Sequence, residues 1–165
     1  MSTKYHLHLH PALRPAVFRF EAFGPGASGP QKPTVAEMIR AIKEKHLRIL
    51  VVDDDPIFGK ATKRWLRMVF GAQVEYVESG DEAIEVIGRE SFHFIFLDLM
   101  MPGKSGVETF RDLKDRLDQS HVIAMSGYQD GPEWVKAQGL GLNVISKPFA
   151  DETELIAEIL FGGLA

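Results

Sequence analysis

The sequence contains no cysteine, which excludes disulfides, thiolate nucleophiles and zinc–thiolate sites. No apolar run approaches the ~20 residues that a membrane span needs. The first residues, MSTKYHLHLHP, lack the continuous apolar stretch of a secretory signal. Internal repeats and low-complexity tracts are missing too. Lys and Arg are nowhere dense enough to read as a nucleic-acid face. These absences lead us to expect a soluble, cytoplasmic protein with no membrane span and no direct nucleic-acid contact.

What is present suffices for one core with an appendage: 165 residues, 45% of them apolar. Charge divides the chain. Residues 1–46 hold seven Lys/Arg against three Asp/Glu, a net +4, so the remainder carries −8 of the total −4. Between the parts lies GPGASGPQKPT, residues 24–34, whose glycines and prolines mark a linker. It is not a phosphate loop, because Pro30 and Gln31 stand where the Lys and Ser/Thr should follow the second glycine. Ahead of the linker, KYHLHLH and VFRFEAF alternate around PALRP and predict an antiparallel hairpin. His6, His8 and His10 share one face of it; a solvated polar face is the plainer reading than a metal site. After the linker, Thr34 followed by Glu37 caps a short helix with Val35, Met38, Ile39 and Ile42 at helical spacing. Residues 1–46 therefore read as an N-terminal extension (hairpin, linker, helix) and 47–165 as the main domain.

From Leu47 onward, apolar strands alternate with amphipathic helices. Strands are predicted at 48–52, 74–78, 93–98, 121–125 and 143–146. Helices are predicted at 56–69, 80–89, 105–117, 132–138 and 151–160, with Gly71, Gly139 and Gly141 as left-handed helix ends. This rhythm specifies an α/β fold, a five-stranded parallel sheet with helices on both faces; the expected order is the flavodoxin-like 2-1-3-4-5. In that order the first and third strands are neighbours, and ligands bind beyond their carboxyl ends.

Acids stand at those ends. RILVV runs into Asp53, Asp54 and Asp55, and FHFIFL into Asp98. The fourth strand delivers Ser126 and the fifth Lys147. Asp55 reads as the cap of a helix opening at Pro56. Crowded carboxylates repel one another, and a divalent cation relieves them; an all-oxygen site suits Mg²⁺. Lys147 offers a point charge for phosphate and Ser126 a hydroxyl donor. Together these groups make a phosphoryl-transfer site, in which the solitary Asp98 is the acceptor and the adjacent pair holds metal. Singly, each residue has a plainer role as a cap, a loop charge or a turn.

Four blocks, ILVVDDDP, FLDLMMPGKSG, AMSG and SKPF, resemble the signature of the response-regulator receiver domain of two-component signalling. The resemblance covers residues 47–160, with the blocks in the family's order and spacing. It implies phosphorylation of Asp98 by a histidine kinase or phosphotransfer protein. It further implies Mg²⁺ held by Asp54, Asp98 and the backbone carbonyl of Met100, with Asp53 acting through water, and contacts from Ser126 and Lys147 to the phosphoryl group. Such a domain modifies only itself and turns over no separate substrate. No DNA-binding or catalytic block follows residue 160, so output is expected through a downstream protein, with homodimerisation through the N-terminal extension as a further expectation. One position departs from the pattern: Val144 stands where receivers usually place an aromatic switch residue. It is the one support for an alternative, a receiver-fold binding module that works without phosphorylation. Bulky Met100 and Tyr128 flank the acceptor and hydroxyl, where they could shield an acyl phosphate. An aspartyl-phosphate hydrolase is disfavoured, since DDDPI lacks the Asp-x-Asp-x-Thr context.

Overall fold

Every strand of the sheet is parallel to its neighbours, in the order β2-β1-β3-β4-β5. The structure, a computed structural model, describes residues 32–117, 121–149 and 152–164. The predicted hairpin and most of the linker lie outside the described residues, as do residues 118–120 and the start of the predicted helix at 151.

The elements run α1 (Val35–Glu44), β1 (Arg48–Val52), α2 (Pro56–Phe70), β2 (Gln73–Val77), α3 (Gly80–Ile87), β3 (Phe94–Asp98), α4 (Gly106–Leu113), β4 (His121–Ser126), α5 (Pro132–Gly139), β5 (Asn143–Ser146) and α6 (Thr153–Gly162). β1 and β3 are buried on both faces, which is why they read as unbroken apolar runs. On one face Ile49, Val51, Phe94 and Phe96 pack with Leu66 and Phe70 of α2 and Ile156 and Leu160 of α6. On the other, Leu50, Val52, Ile95 and Leu97 meet Ala83 of α3. Leu99, Val107 of α4, Ala137 of α5 and Val144 of β5 form a further cluster.

Side-chain caps set the starts of α1 to α4. Thr34 and Glu37 form the expected capping box, and Ser105 with Glu108 forms another. Asp55 accepts the Ile57 and Phe58 N–H groups. Helix α1 is part of the packed body: Met38 and Ile42 are buried in the same cluster as β1, α2 and α6. Two expectations are corrected. The helix predicted at 105–117 ends at Leu113, and residues 114–116 tighten into a 3₁₀ turn, as helix ends often do. Gly139 is the last residue of α5 and has no positive φ; Gly71 (φ 64°) and Gly141 (φ 80°) take the left-handed conformation.

Candidate functional site

Strand register builds the site. Val52 pairs with Leu97, so the next residues, Asp53 and Asp98, emerge side by side from the carboxyl edge. Asp98 is also the partner of Met125, which puts Ser126 just beyond it. Ser126 pairs with Ser146, and Lys147 follows directly. All the strand-end residues named from the sequence thus reach one rim.

Three of them form a cluster. One carboxylate oxygen each from Asp53, Asp54 and Asp98 lies within 4.8 Å of the others. Asp53 is fully buried, Asp98 is 4% exposed, and Asp54 faces solvent. Lys147 bridges the two buried acids, donating to Asp53 Oδ2 at 2.6 Å and to Asp98 Oδ2 at 2.8 Å. The Met100 N–H donates to Asp98 Oδ1 at 3.1 Å, and the Asp55 N–H to Asp53 Oδ1 at 3.0 Å.

Burial pushes the Asp98 carboxyl above the usual carboxylate range; the Lys147 and Met100 hydrogen bonds only partly offset it, and the Asp53 charge adds to it. Burial also works against the Lys147 ammonium, but its bonds to Asp53 and Asp98 outweigh that and hold its pKa above the ordinary value. Lys147 therefore stays charged, while burial disfavours the ionised form of Asp98. A group of acids left so underneutralised, all oxygen donors and one of them open to solvent, suits a hard cation that keeps some of its water. The donor set fits Mg²⁺.

Ser126 stands slightly apart. It is buried, and its hydroxyl donates to the Tyr128 carbonyl at 3.0 Å and accepts the Tyr128 N–H at 3.1 Å, closing the turn after β4. Met100 and Tyr128 are 52% and 71% exposed at the rim. Val144 is buried against α5 and does not reach the rim.

Three supporting residues escaped the sequence reading. Phe58, in the first turn of α2, presents its ring to Lys147, with Nζ 4.6 Å from the centroid. Tyr76 donates its hydroxyl to the Asp53 carbonyl at 2.9 Å, and burial pushes its pKa up to about 12. Gly106 lets α4 approach β3: a Cβ there would lie 2.2 Å from the Asp98 carbonyl oxygen. Gly106 alone had a signal, as the glycine closing PGKSG.

Comparison with known proteins agrees with this geometry. The family model for the response regulator receiver domain matches residues 49–160. The response regulator MprA of Mycobacterium leprae is 34% identical over 114 residues, which cover 68% of this chain and 49% of that protein. The chain spans about half the length of the curated relatives it matches. The receiver domain of the histidine kinase CKI1 from Arabidopsis thaliana, complexed with Mg²⁺ and BeF₃⁻, superposes with a TM-score of 0.61 at 26% identity, covering 73% of this chain and 95% of that one. A response regulator protein from Burkholderia pseudomallei, with a phosphorylated aspartic acid, a calcium ion and citrate, gives 0.61 at 30% identity, covering 67% and 65%. By sheet order, by site and by sequence, this chain belongs to the response regulator receiver domain family.

Proposed function

We propose that Asp98 accepts a phosphoryl group from a histidine kinase or phosphotransfer protein, and that the modified chain signals through contacts with a downstream protein. One observation carries this reading: two buried acids and a solvent-facing third converge within 4.8 Å, with a charged lysine between them. The Mg²⁺ and BeF₃⁻ of the CKI1 receiver and the phosphorylated aspartic acid of the Burkholderia protein support it by analogy.

An Asp98 oxygen forms a bond to phosphorus as the bond between phosphorus and the donor breaks; that donor atom is a histidine nitrogen in a kinase or the acetate oxygen in acetyl phosphate. Asp54, Asp98 and the Met100 carbonyl would hold Mg²⁺, with Asp53 acting through water; the ion would supply positive charge to offset the carboxylates and the phosphoryl oxygens. Lys147 gives up its Asp98 bond to follow the new charge onto phosphorus. Ser126 releases the Tyr128 turn to donate its hydroxyl to a phosphoryl oxygen, so exposed Tyr128 reports the event in place of the aromatic missing at Val144. The chain acts on itself alone and turns over no separate substrate.

The test is intact-mass measurement after incubation with acetyl phosphate and Mg²⁺. Wild type should gain one phosphoryl group, and Asp98→Asn none. Labelling of Asp98→Asn at the wild-type rate overturns the assignment.

A further inference from the structure

Lys147 has three N–H donors. Two are committed, to Asp53 and Asp98. The remaining side of the ammonium meets the face of the Phe58 ring, 4.6 Å from its centroid. Phe58 is itself fixed from two directions. Its backbone N–H donates to the Asp55 cap at 3.3 Å, and its ring meets Phe149 edge to face at 5.5 Å and 88°. Phe149 is buried and in turn touches Trp65 and Phe96. The ring under Lys147 is thus the outer end of an aromatic wall that runs from α2 to the end of β5.

A ring face attracts a cation without presenting a lone pair. It can hold the ammonium in place while leaving its donors to oxygen. A carboxylate or hydroxyl at the same spot would compete for a donor; an aliphatic side chain would fill the space but hold nothing. During transfer, charge moves from the Asp98 carboxylate onto the phosphoryl oxygens, and the ammonium has to move with it without escaping to solvent. A non-directional attraction permits that shift.

We propose that Phe58 is a positioning residue for phosphoryl transfer: its ring face holds the Lys147 ammonium over Asp98, and the strength of that attraction sets part of the transfer rate. The inference rests on the function proposed above. It is tested by placing phenylalanine with one, two or three ring fluorines at position 58 and following acetyl phosphate labelling in Mg²⁺ by intact mass. Fluorine drains charge from the ring face with little change in size, so packing is preserved while the attraction weakens in steps. The rate should decline with each fluorine, to roughly one-fifth for the trifluoro ring, at unchanged melting temperature. Phe58→Leu should fall at least as far. The Lys147 ε-methylene protons give a second readout: shifted upfield by the ring in wild type, they should return to ordinary positions in Phe58→Leu, and unshifted wild-type protons overturn the contact. A labelled wild type with flat rates across the fluorine series overturns the positioning role alone. An unlabelled wild type overturns the proposed function, and this role with it.

Discussion

Asp53 is fully buried and Asp98 nearly so, and one ammonium serves both. Breaking a buried pair leaves an uncompensated charge, here two of them. In chelator, Lys147→Ala should therefore lose about 3 kcal/mol of stability, the low end of that range because Lys147 keeps some exposure. Saturating Mg²⁺ should recover part of the loss, since a cation held only by the folded state stabilises it by mass action. Denaturant melts with and without Mg²⁺ measure this; an equal loss in both would mean that the three acids form no cation site. The acids and Lys147 were legible in the sequence because short apolar runs alternating with amphipathic helices read as strands, and the tips of parallel strands share one edge. Phe58 and Tyr76 were not. What they do depends on distances between elements far apart in the chain, and no periodicity records such distances.

Among the elements, α1 shows how charge counting misleads. Residues 1–46 are basic as a block, but that sum averages over the faces of the helix and misses the stripe that points inward. Met38 and Ile42 are 2% and 0% exposed, in the cluster that also holds β1, α2 and α6. The helical spacing and the capping box predicted the helix; where it docks was not readable, because its complement lies on α6, at the far end of the sequence. Lys32 reinforces the docking through an ion pair with Glu158 of α6. Ile42→Ala should cost about 3 kcal/mol, the usual penalty for emptying a buried aliphatic site. Exposed Arg40→Ala should stay within about 0.5 kcal/mol. Urea melts of the two variants decide whether α1 is structural: equal midpoints would mean that it adds nothing to the core. The parallel sheet, by contrast, followed from the strand–helix rhythm, because parallel strands require crossovers of fixed hand. The order 2-1-3-4-5 did not, and rested on the acids at the ends of the first and third strands, which that order makes neighbours.

At the scale of the whole molecule, a +4 segment is joined to a −8 remainder. We expect residues 1–33, whose sequence alternates apolar and polar side chains, to mediate salt-dependent self-association or docking while leaving the phosphorylation chemistry untouched. A chain starting at Thr34 keeps α1 and its cap, so it should label normally with acetyl phosphate, while light scattering should find the full chain dimeric and the shortened one monomeric. Monomers of both forms binding the same targets would remove any recognition role from the segment. None of this bears on the central claim, that the strand-end pocket makes Asp98 the phosphoacceptor. That claim is tested most directly by reducing acetyl phosphate-treated protein with borohydride, which converts an aspartyl phosphate to homoserine, and sequencing the peptides by mass spectrometry. Homoserine at position 98, dependent on Mg²⁺, is the expected result. Homoserine at Asp53 or Asp54 instead, or none at all, would contradict it.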